Sequence, residues 1–483
     1  MIASVARPLI ALAVTLAITS CSIPPKPDAP VLRNEAPLAG LSVPSGGEWP
    51  DAQWWTRYHD AQLDDLEHTA LAAAPTLDEA HRRFDTAVRA VDIARAAGGL
   101  SSQFGAQVQR QRLSDHGLIP SRFLGFSWYN QGDLSLQFRY DFDFWGKQRA
   151  AVEAAVDSAR AVEAERATAT LALTTAVADT YFAWQADRAR LELANTTVAA
   201  LERNHAIAGK RVARGIDLLD TLHQAEAQIA AARESQAAYA GSAPIRLVAL
   251  GALLGVAPAD MPKLVAKPLP AVDPALPDHL GLDLLARRPD ISARRWQVEA
   301  AMQNVNKARA EFYPDISLGA MVGLSSIDLD KLLTSGSRVA AIGPALHLPV
   351  FQLAGLHAAY GVSQAQLAGA ASAYNNAVVD AARDVATQAL MLVQIDARRD
   401  ARAAQVAAVY ALQEAAAARV RQGVTDDRSL LAVQAQVLQQ RDAAVTLHAQ
   451  AISAELALTK ALGGGYRMDN AKAAADRTGS AAR

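Results

Sequence analysis

Few side chains in this 483-residue chain are spaced to do chemistry. There is one thiol, Cys21, and the ten histidines form no His-x-x-x-His pair and no Cys/His cluster, so the spacing of a metal site is missing. No glycine-rich loop follows a strand pattern to cradle a phosphate, and no Ser/His/Asp set stands out. No catalytic group, metal or cofactor is expected. What remains is charge beside two glycines: Asp217 and Asp220 follow Gly215, while Asp426, Asp427 and Arg428 follow Gly423. On their own, such charges solvate the tip of a helix hairpin. Arg287-Arg288 could hold an anion, but next to Pro289 they fit better as the brace of a helix start.

What precedes Cys21 explains it. Met1 to Ser20 has a basic Arg7 and an apolar run from Leu9 to Ile18, the pattern of a secretory signal peptide over 1–20. Ile18-Thr19-Ser20-Cys21 resembles the bacterial lipoprotein cleavage box, in which the thiol is lipidated after cleavage. In that class an Asp after the Cys means inner-membrane retention, so Ser22 favours the outer membrane. Residues 21–60, rich in Pro and polar side chains near their start, suit a lipidated tether.

The charged positions lie at the ends of the longest elements. From Lys147 to Gly209 the pattern is helical with no interior Gly or Pro, about 95 Å as one helix. Val177, Trp184, Leu191 and Val198 recur every seven residues, as in helices that pack along other helices. A second such helix is expected over 356–422, with Val378, Val385 and Leu392 at the same interval. The chain repeats itself at an offset of about 208 residues: Gly215 matches Gly423, and Leu254-Gly255 matches Leu462-Gly463. The first copy spans 61–255 and the second 280–465. A proline-rich linker, 256–279, joins them, and 466–483 reads as a disordered tail.

Each copy also supplies two strands, at about 101–113 and 134–143, then at about 315–324 and 339–350. In the cleanest, Leu134, Leu136, Phe138, Tyr140 and Phe142 alternate with Ser135, Gln137, Arg139 and Asp141. The apolar face meets either a core or lipid, and alternation alone does not choose. The lipoprotein box and a length of about nine residues favour lipid. No segment after the signal has the roughly 20 uninterrupted apolar residues of a membrane helix. If the chain crosses a membrane, it does so as strands. Four strands cannot close a barrel, and an open edge is forbidden in lipid, so a cyclic oligomer follows. The net charge of -2 gives no reason to expect a nucleic-acid partner.

Leu284-Leu285-Ala286-Arg287-Arg288-Pro289-Asp290-Ile291 and the run Ala308 to Leu318 (ARAEFYPDISL) resemble the most distinctive segment of the outer-membrane efflux proteins. Those are the TolC-like channels, and the lipoprotein form resembles the NodT-type branch. Gln53-Trp54-Trp55, Phe142 to Gly146, Leu348 to Phe351 and the Arg-x-x-x-Gly sequences before Gly215 and Gly423 add to the likeness, which covers essentially the whole mature chain. It implies an α+β membrane protein: a homotrimer with a 12-stranded transmembrane β-barrel continued by a periplasmic α-helical barrel. It implies an outer-membrane exit duct for drugs or other small toxic molecules. A periplasmic adaptor (membrane fusion protein) and an inner-membrane pump, of the proton-driven RND type, would be its partners.

Where the family often carries a tip aspartate some nine residues after the second glycine, this chain has Ala432. The gate is therefore expected at Asp217, Asp220, Asp426, Asp427 and Arg428, and replacing Asp426 and Asp427 with Ala is expected to widen the pore. Arg214, Gly215, Ile216, Gly423 and Val424 are the expected adaptor-contacting tips. Two other readings compete. A lipid-anchored periplasmic coiled-coil structural protein needs no alternating strands, and a passive porin needs no long helices.

Overall fold

The computed structural model describes residues 23–467 except 39, 41, 42, 44, 115, 117–120, 273–275, 278, 279, 350 and 351. The expected signal segment, Cys21, Phe351 and the tail from 468 lie outside the described residues. The chain divides into two compact units. One comprises Met1–Leu32, Asp85–Ala161 and Arg294–Tyr374, and the other comprises Arg33–Phe84, Val162–Ala293 and Asn375–Arg483.

The first unit holds a four-stranded antiparallel sheet in sequential order: β1 (Ser101–Arg112), β2 (Trp128–Phe142), β3 (Asp315–Ser326) and β4 (Arg338–His347). The edges, β1 and β4, each pair on one side only. β2 starts at Trp128, six residues before the expected 134. Asn130 and Gly132 hide the alternation, yet the ladder runs on through Trp128↔Arg112. β4 stops at His347, before the expected 350, because Pro349 has no N–H for a ladder. Below the strand ends, the Trp145 ring stacks on Tyr313 at 4.6 Å and its Nε1 donates to the Pro314 carbonyl at 2.9 Å.

The helices are α1 (Ala61–Ala73), α2 (Pro75–Ala96), α3 (Lys147–Ala213), α4 (Leu219–Leu254), α5 (Leu280–Arg287), α6 (Pro289–Ala310), α7 (Leu353–Arg421) and α8 (Asp427–Ala461). α3 and α7 have 67 and 69 residues, about 100 Å each at 1.5 Å per residue. α3 runs past Gly209, the expected end, because the αL glycine that stops it is Gly215. The seven-residue series are the seams of the two helices: Val177, Trp184 and Val198 of α3 and Val378, Val385 and Leu392 of α7 are buried, with Leu191 half-buried.

In the second unit Trp54, Trp55, Leu63, Leu66, Val177, Tyr181, Leu250, Leu254, Ile452 and Leu456 form one core. The tether therefore ends earlier than 60. Trp54 and Trp55 are core residues, and Ser45–Gly47 pairs in parallel with Leu276–Pro277. The proline-rich linker is correspondingly a strap. The Val265 amide donates to Gln62 Oε1 (2.7 Å), the Lys267 amide to Gln185 Oε1 (2.8 Å), and Lys267 Nζ to Asp60 Oδ1 (2.6 Å). Asp60 also caps α1 through the Gln62 amide and accepts from Tyr181 Oη at 2.6 Å. Although burial opposes it, bonds from Lys267, Tyr181 and that amide hold its carboxyl below the usual range. Arg288 braces Pro289 as expected. It grips Asp290 with two bonds (3.0 and 2.7 Å) and donates to the Ala461 carbonyl at 3.1 Å, a terminal acceptor of α8.

Among the described residues, α4 is long and apolar enough by length and composition to cross a membrane, with a window of mean hydropathy 1.4 that is 22% buried. The helix nevertheless carries Asp220, Glu226, Arg233, Glu234 and Arg246, and its Leu250 and Leu254 belong to the core. Its apolar character comes from packing alanines and leucines, so it is not assigned to lipid.

Glu67 on α1 is 0% exposed, and neither carboxyl oxygen has a hydrogen-bond partner. Burial, then the nearby Asp64 charge, pushes it from 4.5 up to about 9. The raised folded value means that the Glu67 contribution is intact below pH 4.5 and is lost progressively as pH rises towards about 9. Glu67→Gln is expected to raise the thermal midpoint at about pH 8 and change it little at about pH 5, by scanning calorimetry.

Candidate functional site

Two places combine position with chemistry: the tips of the helix hairpins and the two faces of the sheet. At the tips, α3 and α7 end in the same Schellman motif. The Gly215 amide donates to the Val212 carbonyl and the Ile216 amide to Arg211; the Gly423 amide donates to Val420 and the Val424 amide to Arg419. Gly215 and Gly423 lie at φ of 71° and 69°, where a Cβ is strained, so the repeated glycines set the reversal into α4 and α8.

One carboxylate ties the two hairpins together. Asp217 accepts two bonds from Arg211, Nε at 2.9 Å and the terminal nitrogen at 3.0 Å, and a third from Arg428 at 2.5 Å. Arg211 also lies 3.6 Å from Asp426. The bonds from Arg211 and the charge of Arg428 keep Asp217 below the usual carboxylate range. Of the five expected gate residues, Asp217, Asp426 and Arg428 are thus brought together. Asp220 and Asp427 sit in the first turns of α4 and α8 and make no ion pair among the described residues. There they favour the helix N-termini. Arg214, Gly215, Ile216, Gly423 and Val424 are all exposed at the turns, with Ile216 and Val424 among the exposed large apolar side chains.

The register divides the sheet by chemistry. One face bears Phe104, Ala106 and Val108 from β1 and every even position from Leu134 to Phe142 of β2. It continues with Ile316, Leu318, Ala320, Val322 and Leu324 from β3, then Ala340, Ile342, Pro344 and Leu346 from β4. Much of it is exposed, Ile342 by 77%. The other face bears Gln103, Gln107, Gln109 and Gln111, then Gln131, Asp133, Ser135, Gln137, Arg139 and Asp141, and, on β3, Asp315, Ser317 and Ser325. Its side chains bond along the wall: Gln107 to Gln109, Gln131 to Asp133, Ser325 to Asp133 and Arg139 to Asp141. One face is thus polar where β1 and β2 form it, with small residues such as Ala341, Gly343 and Ala345 where β4 does, and the other is apolar and largely uncovered, as an aqueous lumen and lipid require. Among the described residues, no three His, Cys, Asp or Glu side chains are placed to hold a metal ion.

The family model described as "Outer membrane efflux protein" matches residues 66–256 and 280–464, one segment in each copy. The chain belongs to the outer membrane efflux protein family. It is 33% identical to the multidrug resistance outer membrane protein MdtP of Shigella flexneri over 464 residues, 94% of this chain and 95% of the relative. The structure of the outer membrane protein VceC of Vibrio cholerae superposes with a TM-score of 0.76 at 31% identity, covering 87% of this chain and all of that one. The outer membrane channel CmeC of Campylobacter jejuni shares the fold, with a TM-score of 0.81 at 20% identity over 94% of this chain and 98% of that one. Members of this family are transport channels. This efflux protein is an outer-membrane exit duct with the fold of the trimeric efflux channels, a β-barrel continued by a helical barrel.

Within that fold, sequence reasoning missed Arg211. The signal was present, since Arg211 and Arg419 open the two Arg-x-x-x-Gly sequences, but the equivalents of Asp217 and Asp220 in the second copy are Thr425 and Arg428. The two copies are therefore unequal where their charges matter.

Proposed function

We propose that three copies close a 12-stranded barrel that passes drugs or other small toxic molecules out of the cell. An inner-membrane pump of the RND type supplies them through a periplasmic adaptor. The observation that carries this reading is a membrane-type sheet with two unpaired edges, β1 and β4. Unpaired N–H and C=O groups are not tolerated in lipid, so β4 of one copy pairs with β1 of the next. Two copies would reach only about eight strands and three reach 12, the size compatible with a conducting lumen. The relatives' multidrug-resistance names support drugs as cargo. The repeats 61–255 and 280–465 supply four helical staves per copy to the tunnel. Cys21 anchors the chain to the outer membrane by an acyl chain, with 21 to about 50 as tether.

The tips meet the adaptor through Arg214, Gly215, Ile216, Gly423 and Val424, and the exposed Ile216 and Val424 supply the apolar part of that surface. Asp217, Arg211, Arg428 and Asp426 hold the resting tip. Asp220 and Asp427 contribute negative charge at the mouth.

Deleting the protein in cells that keep the pump and adaptor is expected to raise drug sensitivity severalfold, with restoration by the intact chain. Unchanged sensitivity with the pump working would favour a passive porin or a structural lipoprotein instead.

A further inference from the structure

The apolar face of the sheet is not apolar to its end. At the end where loops join β1 to β2 and β3 to β4, it carries Arg110, Arg112 and Arg338. The register sets these on the same face as Val108, Leu134 and Ile342, since Arg110 is opposite Asn130, Arg112 opposite Trp128 and Arg338 opposite Leu324. Among the described residues they are the only charged strand residues on that face; Asp133, Asp141, Asp315 and Arg139 all project to the other. The opposite end of the apolar face carries Tyr140 and Phe142 and no cation. Arg110 lies over the Trp128 ring at 5.7 Å, and neither it nor Arg338 has a carboxylate partner among the described residues. Between the two edges, Leu329 and Leu332 of the β3–β4 loop pack over Gly132, where a Cβ would meet Leu329 at 2.8 Å. That loop's Asp328 is already taken by Lys331 at 2.8 Å.

α3 and α7 leave from the other end of the sheet, so the arginine end is the outer one. We infer that this belt binds the phosphates of a phosphorylated glycolipid of the lipid A type in the outer leaflet. The inference rests on the trimeric duct. When β4 of one copy pairs with β1 of the next, Arg338 comes within about one strand spacing, ~5 Å, of the neighbouring strand that bears Arg110 and Arg112. Arg110 and Arg338, neither with a carboxylate partner among the described residues, repel one another across that seam unless an anion is shared between them. Guanidinium matches a phosphate monoester with paired, charge-assisted bonds, and the apolar shelf beside it takes the acyl chains.

The test uses the intact trimer in phosphatidylcholine nanodiscs doped with bisphosphorylated lipid A, dephosphorylated lipid A or phosphatidylglycerol. Lipid kept on the trimer after re-extraction is read by native mass spectrometry. Bisphosphorylated lipid A is expected to be retained about tenfold over the dephosphorylated form, the worth of one or two charge-assisted bonds. The R110Q/R112Q/R338Q variant should lose that preference, while Arg139→Gln, on the other face, should keep it. Equal retention of the dephosphorylated lipid by the unaltered protein overturns the inference, and needs no variant to fold. Phosphatidylglycerol retained as well as lipid A overturns the assignment of this lipid. A trimer without phosphate preference leaves the duct standing, whereas a monomer in the same spectrum overturns the duct and the inference with it.

Discussion

Replacing Ile342 with Arg is expected to abolish assembly in the membrane, with little trimer recovered from the outer-membrane fraction. The residue is 77% exposed in a single chain, in the middle of β4. In water a change at so open a position stays within about 0.5 kcal/mol. At the middle of a lipid-facing band, an arginine costs about 2–4 kcal/mol per chain, and three chains bear it at once. Ala341→Arg, one residue away on the polar face, should assemble and only alter ion selectivity. Extraction yield and gel-filtration profile of the two variants read the difference directly. Equal yields would mean that both faces meet water.

Asp217→Ala is expected to raise single-channel conductance severalfold in planar bilayers. It removes the acceptor of three hydrogen bonds, two from Arg211 and one from Arg428, and frees one hairpin from the other. Asp426→Ala should act more weakly, because among the described residues the Asp426 carboxylate meets Arg211 alone, at 3.6 Å. Asp427→Ala should change little, so the Asp426/Asp427 double variant should resemble Asp426→Ala. The pH dependence has one sign. Asp217 titrates below the usual carboxylate range, so the link is complete above that range and is lost as pH falls through the lowered value. Unaltered channels should therefore hold their conductance from neutral pH into the mildly acidic range and open only below it. The Asp217→Ala channel should show no such step. A conductance identical to the unaltered channel at all pH values would remove Asp217 from the gate.

Much of this architecture is legible in the sequence, for physical reasons that differ by element. The long helices declare themselves because no Gly or Pro interrupts them and because Val177, Val378 and Val385 keep a seven-residue seam that is in fact buried. The turns are legible because only glycine sits easily at the φ that both tips require. The first six residues of β2 are less so, since Asn130 and Gly132 have no strand preference and it is the ladder to β1, joined at Gly132 and Asp133 by that to β3, that holds them there. Which solvent meets which face is invisible in any one strand. It emerges when four strands align and all their strand acids fall on one side. The tip network was only half legible, because Asp217 and Arg428 are 211 positions apart and no spacing rule joins them. Glu67 was missed altogether: in sequence it is one more acid on an amphipathic helix, and its burial belongs to the helices packed over it.

The most direct test of the trimeric duct is the mass of the protein extracted in detergent from outer membranes, by light scattering after gel filtration. A mass near three times that of the mature chain is the result expected of a closed 12-stranded barrel. A monomer would leave the edges of β1 and β4 without partners in lipid, and would contradict the channel in favour of a lipid-tethered periplasmic protein.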